Sequence, residues 1–301
     1  MANRSVVRMA VLALVWGSGF LWIKLALTGL PPAWVAVIRC ALGTAVLAGL
    51  AAARRERPPR DRTTWAHLVV AALFCNALPF LLFGIGQQTV DSGVAGVVNA
   101  TTPLWSLLIG RFTGERGLTP ARVAGLVLGF AGVLLIFAPW EGQDRFGWGV
   151  PVLVGAAASY AVAFAYMGRH LVGRGGPMAV SAGQMATATG LTALALPTAG
   201  PVHLNPTAVI AVVVLGVFGT GVTFFLNYRI IEDEGPTSAA TVGYLLPVVS
   251  VALGALVLDE PLTLRTLAGM AVVLAGVALT RTTRTGVVPP PAPVEPARPD
   301  R

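Results

Sequence analysis

Charge is what this sequence lacks. Only 11% of its 301 residues are Asp, Glu, Lys or Arg, against about 25% in an ordinary soluble domain. A chain so poor in charge cannot coat a water-facing surface, and neither a soluble enzyme nor a disordered chain fits. Lysine is nearly missing: Lys24 is the only one, and all the other basic residues are arginine. No Asp or Glu interrupts the middle of an apolar stretch, so the usual carboxylate proton relay of membrane pumps is missing. The cysteines, Cys40 and Cys75, stand in no metal-binding spacing and read as buried free thiols. No Gly-rich phosphate loop is found, so ATP is not hydrolysed by this chain. His67 sits at the edge of an apolar stretch, while His170 and His203 lie in loops. None has a nucleophile or paired carboxylate in a pattern that suggests catalysis. No enzyme, cofactor or metal is expected.

What fills the chain instead is apolar sequence, 55% of all residues. It runs in stretches of about 20 residues, the length at which a helix crosses about 30 Å of hydrocarbon. The stretches are continuously apolar, unlike the alternating pattern of barrel strands. The reading is an all-α integral membrane protein with ten transmembrane helices near 9–27, 33–53, 66–86, 92–112, 120–139, 148–169, 178–197, 207–230, 236–257 and 264–281. Breakers such as Pro31-Pro32, Pro58-Pro59, Pro120, Pro177, Pro206, Pro236 and Pro261 mark the joints. The first stretch, preceded by Arg4 and Arg8, resembles a signal peptide but is read as an uncleaved first span.

Arginine placement suggests orientation. With the N-terminus inside, Arg54, Arg55, Arg57, Arg60, Arg62, Arg111, Arg116, Arg122, Arg169, Arg174, Arg229, Arg281 and Arg284 join Arg4 and Arg8 on the cytoplasmic side. Only Arg145 and Arg265 fall outside. This asymmetry predicts a multi-pass plasma (inner) membrane protein with both termini cytoplasmic. The net charge of +8 therefore does not point to nucleic acid. Residues 282–301 are Pro-rich and are expected to form a disordered cytoplasmic tail.

The chain also repeats itself. Residues 94–135 align without gaps to 238–279, pairing Pro103 with Pro247, Ser106 with Ser250, Gly110 with Gly254, Leu118-Thr119 with Leu262-Thr263, Gly125 with Gly269 and Gly132 with Gly276. An acidic turn, Gly114-Glu115 or Asp259-Glu260, precedes each Leu-Thr. Two five-helix repeats are expected, 1–139 and 148–281. Five is odd, so they cross the membrane in opposite senses: inverted-topology repeats, the architecture of secondary transporters.

Trp16-Gly17-Ser18-Gly19-Phe20 with Lys24 in the first span, Arg39 in the second, and the paired Pro, acid-turn, Leu-Thr and Gly blocks resemble the EamA-type transporters of the drug/metabolite transporter superfamily. The resemblance covers residues 9–281, with Gly19 where Asn is frequent in relatives. It implies ten helices in two inverted five-helix repeats and the export of amino acids, related metabolites or drugs.

Lys24 and Arg39 are the charged side chains placed well inside spans. Either could hold a substrate carboxylate or phosphate, or both could snorkel to the nearby interface. Helical spacing adds a wall for a small amphipathic ligand: Trp16 and Phe20; Asn76, Phe80, Phe83 and Gln87; Asn99, Thr102 and Ser106; Thr220, Thr223 and Asn227. Tyr160 with Phe164, Gln184 and Tyr244 add mid-span aromatic and amide groups. Bonding between helices is the competing role for any one of these polar residues. Pro103 and Pro247, read as mid-helix, are candidate hinges. Gly125-x-x-x-Gly129 signals a close helix contact, within the chain or between two copies. The expected partners are a small-molecule substrate and the lipid bilayer, with a homodimer left open.

Overall fold

The computed structural model describes residues 2–112, 119–137, 147–234, 242–243 and 245–281. The acidic turn at Glu115, the loop 141–146, Pro236, Tyr244 and the tail lie outside these. Among the described residues there are helices and turns but no strand. Six helices are long and apolar enough to cross a bilayer: Val7–Ala26, Pro32–Ala53, Arg62–Gly86, Ser92–Gly110, Gly149–His170 and Pro206–Asn227. Val123–Ile136, Leu246–Leu258 and Leu264–Leu279 are shorter apolar helices, and Pro177–Ala193 completes a ten-rod membrane bundle.

Several rods are interrupted, each for an identifiable reason. The first divides at Ser18 into α1 (Ala2–Gly17) and α2 (Gly19–Ala26), and the Ser18 hydroxyl turns back to the Val15 carbonyl. The second is α3 (Pro32–Ala53). The third joins α4 (Arg62–Ala72) to α5 (Leu78–Gly86) through one π-helical turn, Leu73–Ala77. Pro79 has no N–H to continue the ladder there, and the Ser159 hydroxyl satisfies the Phe74 carbonyl from a neighbouring helix.

The fourth rod breaks between α6 (Ser92–Asn99) and α7 (Thr102–Phe112). Pro103 cannot bond the Asn99 carbonyl, and the Thr102 hydroxyl takes it instead, at 2.8 Å. Pro103 thus opens a half-helix rather than kinking the middle of a continuous one. Pro247 does likewise, as the second residue of α13 (Leu246–Leu258), the position proline tolerates best. Between them lie α8 (Pro120–Phe137), α9 (Gly149–His170), α10 (Pro177–Ala193), α11 (Pro206–Gly216) and α12 (Thr223–Glu234). A second π segment, Val217–Val222, joins the last two, and α14 (Leu264–Arg281) ends the bundle. The seventh rod stops at Ala193, short of the expected 197, because Pro197 diverts the chain into a 3-10 turn at Leu196–Thr198.

The two halves repeat one another in helix boundaries, not only in sequence. In the gap-free register that pairs Pro103 with Pro247, α7 and α13 start at paired residues, and α8 and α14 both start and end at paired residues. That register reaches back to α4 and α11, which begin and end at paired residues, and to the two π segments, which open at the paired residues Leu73 and Val217. Even the caps agree: Asp61 accepts from the Thr64 amide and Asn205 from the Ala208 amide, each at 2.8 Å. The hydrogen bonds that Thr64 donates hold the Asp61 carboxyl below its ordinary range.

Packing follows the same pseudo-twofold relation. Equivalent rods of the two halves pack on each other, α8 on α14, α3 on α10 and α6 on α13. The contact of the third rod with the sixth, α5 on α9, is answered by that of the eighth rod with the first, α11 on α2. Gly125, Gly129, Gly132, Gly269 and Gly276 line the α8–α14 crossing, so the Gly-x-x-x-Gly motif serves a contact within the chain. A Cβ on Gly276 would fall 2.5 Å from the Gly129 nitrogen and 2.7 Å from the Gly125 oxygen. Backbone cannot yield there. Gly276→Ala is therefore expected to lower the melting temperature of the detergent-purified protein by several degrees. Gly190→Ala, which meets nothing within 4 Å, should leave it unchanged or raise it.

Candidate functional site

Arg39 stands seven residues into α3, about 10 Å along the helix from its start. It is 7% exposed. Its Nε donates to the Thr220 hydroxyl at 2.8 Å, and the guanidinium lies over the Phe80 ring, 3.7 Å from its centre. Thr220 belongs to the π segment of the eighth rod, and its hydroxyl donates in turn to the Leu215 carbonyl.

Gln184 occupies the corresponding place in α10, seven residues beyond Pro177 as Arg39 is beyond Pro32. Its Nε2 donates to Asn76 Oδ1 at 2.6 Å, and Asn76 sits in the π segment of the third rod, paired with Thr220. The two contacts are therefore one contact made twice. In each, a polar side chain of a second-position helix reaches the π turn of a third-position helix in the other half. Widened turns of this kind often mark functional sites, and both are anchored here by side chains from across the repeat boundary.

Aromatic rings connect this seam to the rest of the bundle. Phe20 meets Phe83 edge-on at 5.4 Å, Phe83 meets Tyr160 at 6.0 Å, and Tyr160 stacks on Phe164 at 5.9 Å. Tyr160 is half-buried, packs against both main core clusters and lies within electrostatic reach of Arg39. Phe20, Phe80, Phe83, Asn76, Gln184, Arg39 and Tyr160 are thus brought into one connected region.

Other expected site residues fall elsewhere. Trp16 packs with Leu12, Ala13, Ile230 and Val242 in a separate cluster. Asn227 is half-buried on α12. The buried Asn99 Oδ1, beside the break in the fourth rod, has no partner among the described residues. Gln87 is fully buried, and both atoms of its side-chain amide are unbonded among the described residues. Lys24 does not join Arg39: its Nζ donates to the Gln87 carbonyl at 2.7 Å and the Val90 carbonyl at 2.9 Å. It thereby caps the end of α5, and the carboxylates of Asp91 and Glu260 attract it.

Two acidic residues tie the halves at opposite ends of the bundle. Glu260 accepts from the amides of Ser92, at 2.7 Å, and Gly93, at 3.0 Å, at the start of α6. Asp91, the residue at the cap position itself, makes no side-chain cap bond. At the other end Glu56 accepts from the Ala179 amide in the first turn of α10, at 2.9 Å. Both use the positive end of a helix that belongs to the other repeat. The sequence marked Glu260 as a turn residue; nothing in it identified Ser92, Gly93 or Ala179, because a cap supplied from across the bundle leaves no local pattern.

A bundle of ten apolar helices, folded as two inverted repeats that share a polar seam, is the architecture of membrane transporters. The model of the EamA-like transporter family matches twice, over residues 4–138 and 147–282, and the chain belongs to that family. It is 26% identical over 277 residues to an uncharacterized transporter of Archaeoglobus fulgidus, covering 89% of this chain and 95% of the relative. It is 26% identical to the uncharacterized transporter YvbV of Bacillus subtilis, over 93% and 92%. It is 27% identical to the uncharacterized inner membrane transporter YedA of Escherichia coli, over 81% and 79%. One solved structure, 21% identical, superposes with a TM-score of 0.64 over 93% of this chain and 97% of its own, which shows a shared fold.

Removing the Glu260 carboxylate leaves two helix-start amides unpaired. Glu260→Ala should cost about 1–2 kcal/mol, read as a loss of a few degrees in melting temperature. Glu260→Gln, which keeps an acceptor, should lose less.

Proposed function

We propose that this chain is a secondary transporter that exports a small metabolite, such as an amino acid or related compound, across the plasma membrane by alternating access. The observation that carries this reading is the reciprocal seam, in which Arg39 with Thr220 and Gln184 with Asn76 are repeat-related contacts between halves of opposite sense. Two similar units of opposite sense can exchange conformations, so inward-open and outward-open states come out close in energy. The breaks before Pro103 and Pro247 supply paired hinge points, and Glu56 and Glu260 close opposite ends of the path. Substrate contacts are assigned to Phe20, Arg39, Asn76, Phe80, Phe83, Tyr160 and Gln184. Trp16, Lys24, Asn99, Asn227 and Tyr244 complete the set read from the sequence.

In this reading both termini are cytoplasmic, and the end of the bundle near Lys24 faces outward. Leu204, 72% exposed at that end, tests the orientation. Leu204→Cys should react with a membrane-impermeant maleimide in intact cells, and Arg57→Cys should react only after lysis; the reverse pattern overturns the assignment. Transport itself is tested by comparing metabolites in the medium of cells with and without the protein. Any enriched compound is then followed by counterflow in proteoliposomes. A compound that accumulates outside and exchanges across the vesicle membrane supports export; no difference in the medium overturns it.

A further inference from the structure

We infer that the cargo is an organic monocarboxylate with an apolar body and no ammonium group, anchored at Arg39. The inference rests on the transport reading above and narrows its substrate class.

A guanidinium carries five N–H donors and stays charged in proteins. Among the described residues Arg39 spends only its Nε–H, on Thr220. Its one other contact of note is the face of Phe80. No carboxylate among the described residues pairs with it. Its two terminal amino groups make no hydrogen bond among the described residues. The forked pair of N–H groups left over matches the two oxygens of a carboxylate. A cation held inside a membrane protein with its fork unfilled is a binding group awaiting an anion.

Two further donors stand unused nearby. Asn76, on the turn before Phe80, is fully buried and its Nδ2 has no partner among the described residues. The Tyr160 hydroxyl lies within electrostatic reach of the guanidinium and makes no hydrogen bond among the described residues. Unused donors therefore gather here around a cation, with no carboxylate beside them among the described residues, which suits an anion better than a cation. The rings of Phe80, Phe83 and Tyr160 supply the apolar contact.

Lys24 is not a second anchor, because two backbone carbonyls already hold its ammonium. The residue related to Arg39 by the repeat is the neutral Gln184, so the seam holds one positive charge. An amino acid would bring an ammonium as well. The acidic residues all lie at span ends or in loops, and the carbonyls released by the π turns are taken by Ser159 and Thr220. An ammonium would find no carboxylate at this depth.

The test uses the full chain purified in detergent, with binding read by tryptophan fluorescence and melting temperature. The probes are 3-phenylpropionate, benzoate and hexanoate, each beside its amide, together with phenylalanine and phenethylamine. The wild type should bind at least one of the acids at least tenfold more tightly than its amide, and more tightly than phenylalanine or phenethylamine. Arg39→Gln should lose that preference at least tenfold, Arg39→Lys should keep part of it, and Tyr160→Phe should weaken it while leaving the unliganded melting temperature unchanged. Equal binding of acid and amide, tighter binding of phenylalanine, no binding of any acid, or an unchanged preference in Arg39→Gln each overturns the proposal. If Arg39→Gln does not fold, Tyr160→Phe and the acid–amide ratio of the wild type decide it alone. Acid binding without flux in proteoliposomes would sink the transport reading and leave the anion site standing.

Discussion

A polar group inside hydrocarbon must find its partner in protein, since no water is there to supply one. In this chain several of the deepest partners come from the other repeat. Arg39 reaches Thr220 and Gln184 reaches Asn76; Glu56 caps α10 and Glu260 caps α6. Each half would be left with unsatisfied amides and side chains if it stood alone. The apolar crossings of α8 with α14 and of α3 with α10 bring the halves together, but lipid tails are as apolar as Leu and give little reason for one arrangement over another. Directional bonds across the boundary select the register.

The same bonds set what can move. The α8–α14 crossing is backbone against backbone through glycines and has no slack, so it suits a fixed pivot. The caps at Glu56 and Glu260 are single carboxylates on helix starts at the two ends of the bundle, individually modest and replaceable by water once an end opens. The break before Pro103 has already given up a ladder hydrogen bond, and the Thr102 hydroxyl offsets the local cost by donating to the Asn99 carbonyl. Strong contacts at the crossing and weak ones at the two ends are the distribution a rocking bundle requires.

Much of this was legible in the sequence, and the parts that were not share a cause. The ten apolar stretches, the repeat between 94–135 and 238–279 and the unusual positions of Lys24 and Arg39 follow from composition and spacing. The π turns do not. Their formation depends on Ser159 meeting the Phe74 carbonyl from another helix and on Thr220 reaching back to Leu215, and neither is a local pattern. An ideal helical wheel put Asn76, Phe80, Phe83 and Gln87 on one face. The π turn lies within that stretch, and Gln87 ends buried, its side-chain amide without a partner among the described residues. The equivalence of Arg39 and Gln184 was hidden differently: Pro32 pairs with Pro177 in a register one residue removed from the one that pairs Leu73 with Val217. Lys24 looked identical in kind to Arg39 by sequence, and only the position of the α5 carbonyls separates them.

The departure from symmetry is as informative as the symmetry. A duplicated scaffold makes Arg39 and Gln184 the same position and Thr220 and Asn76 the same position, so the fold alone requires only that each pair hydrogen-bond. A neutral pair such as Gln184 with Asn76 meets that requirement, which shows that the charge at position 39 is not needed to close the seam. Burying it adds a desolvation cost that one hydroxyl and one ring do not offset in the way an ion pair would. A second arginine at 184 would double that cost and set two like charges on one ligand site. One cation in an otherwise neutral seam is therefore the departure from symmetry on which the proposed anion site rests.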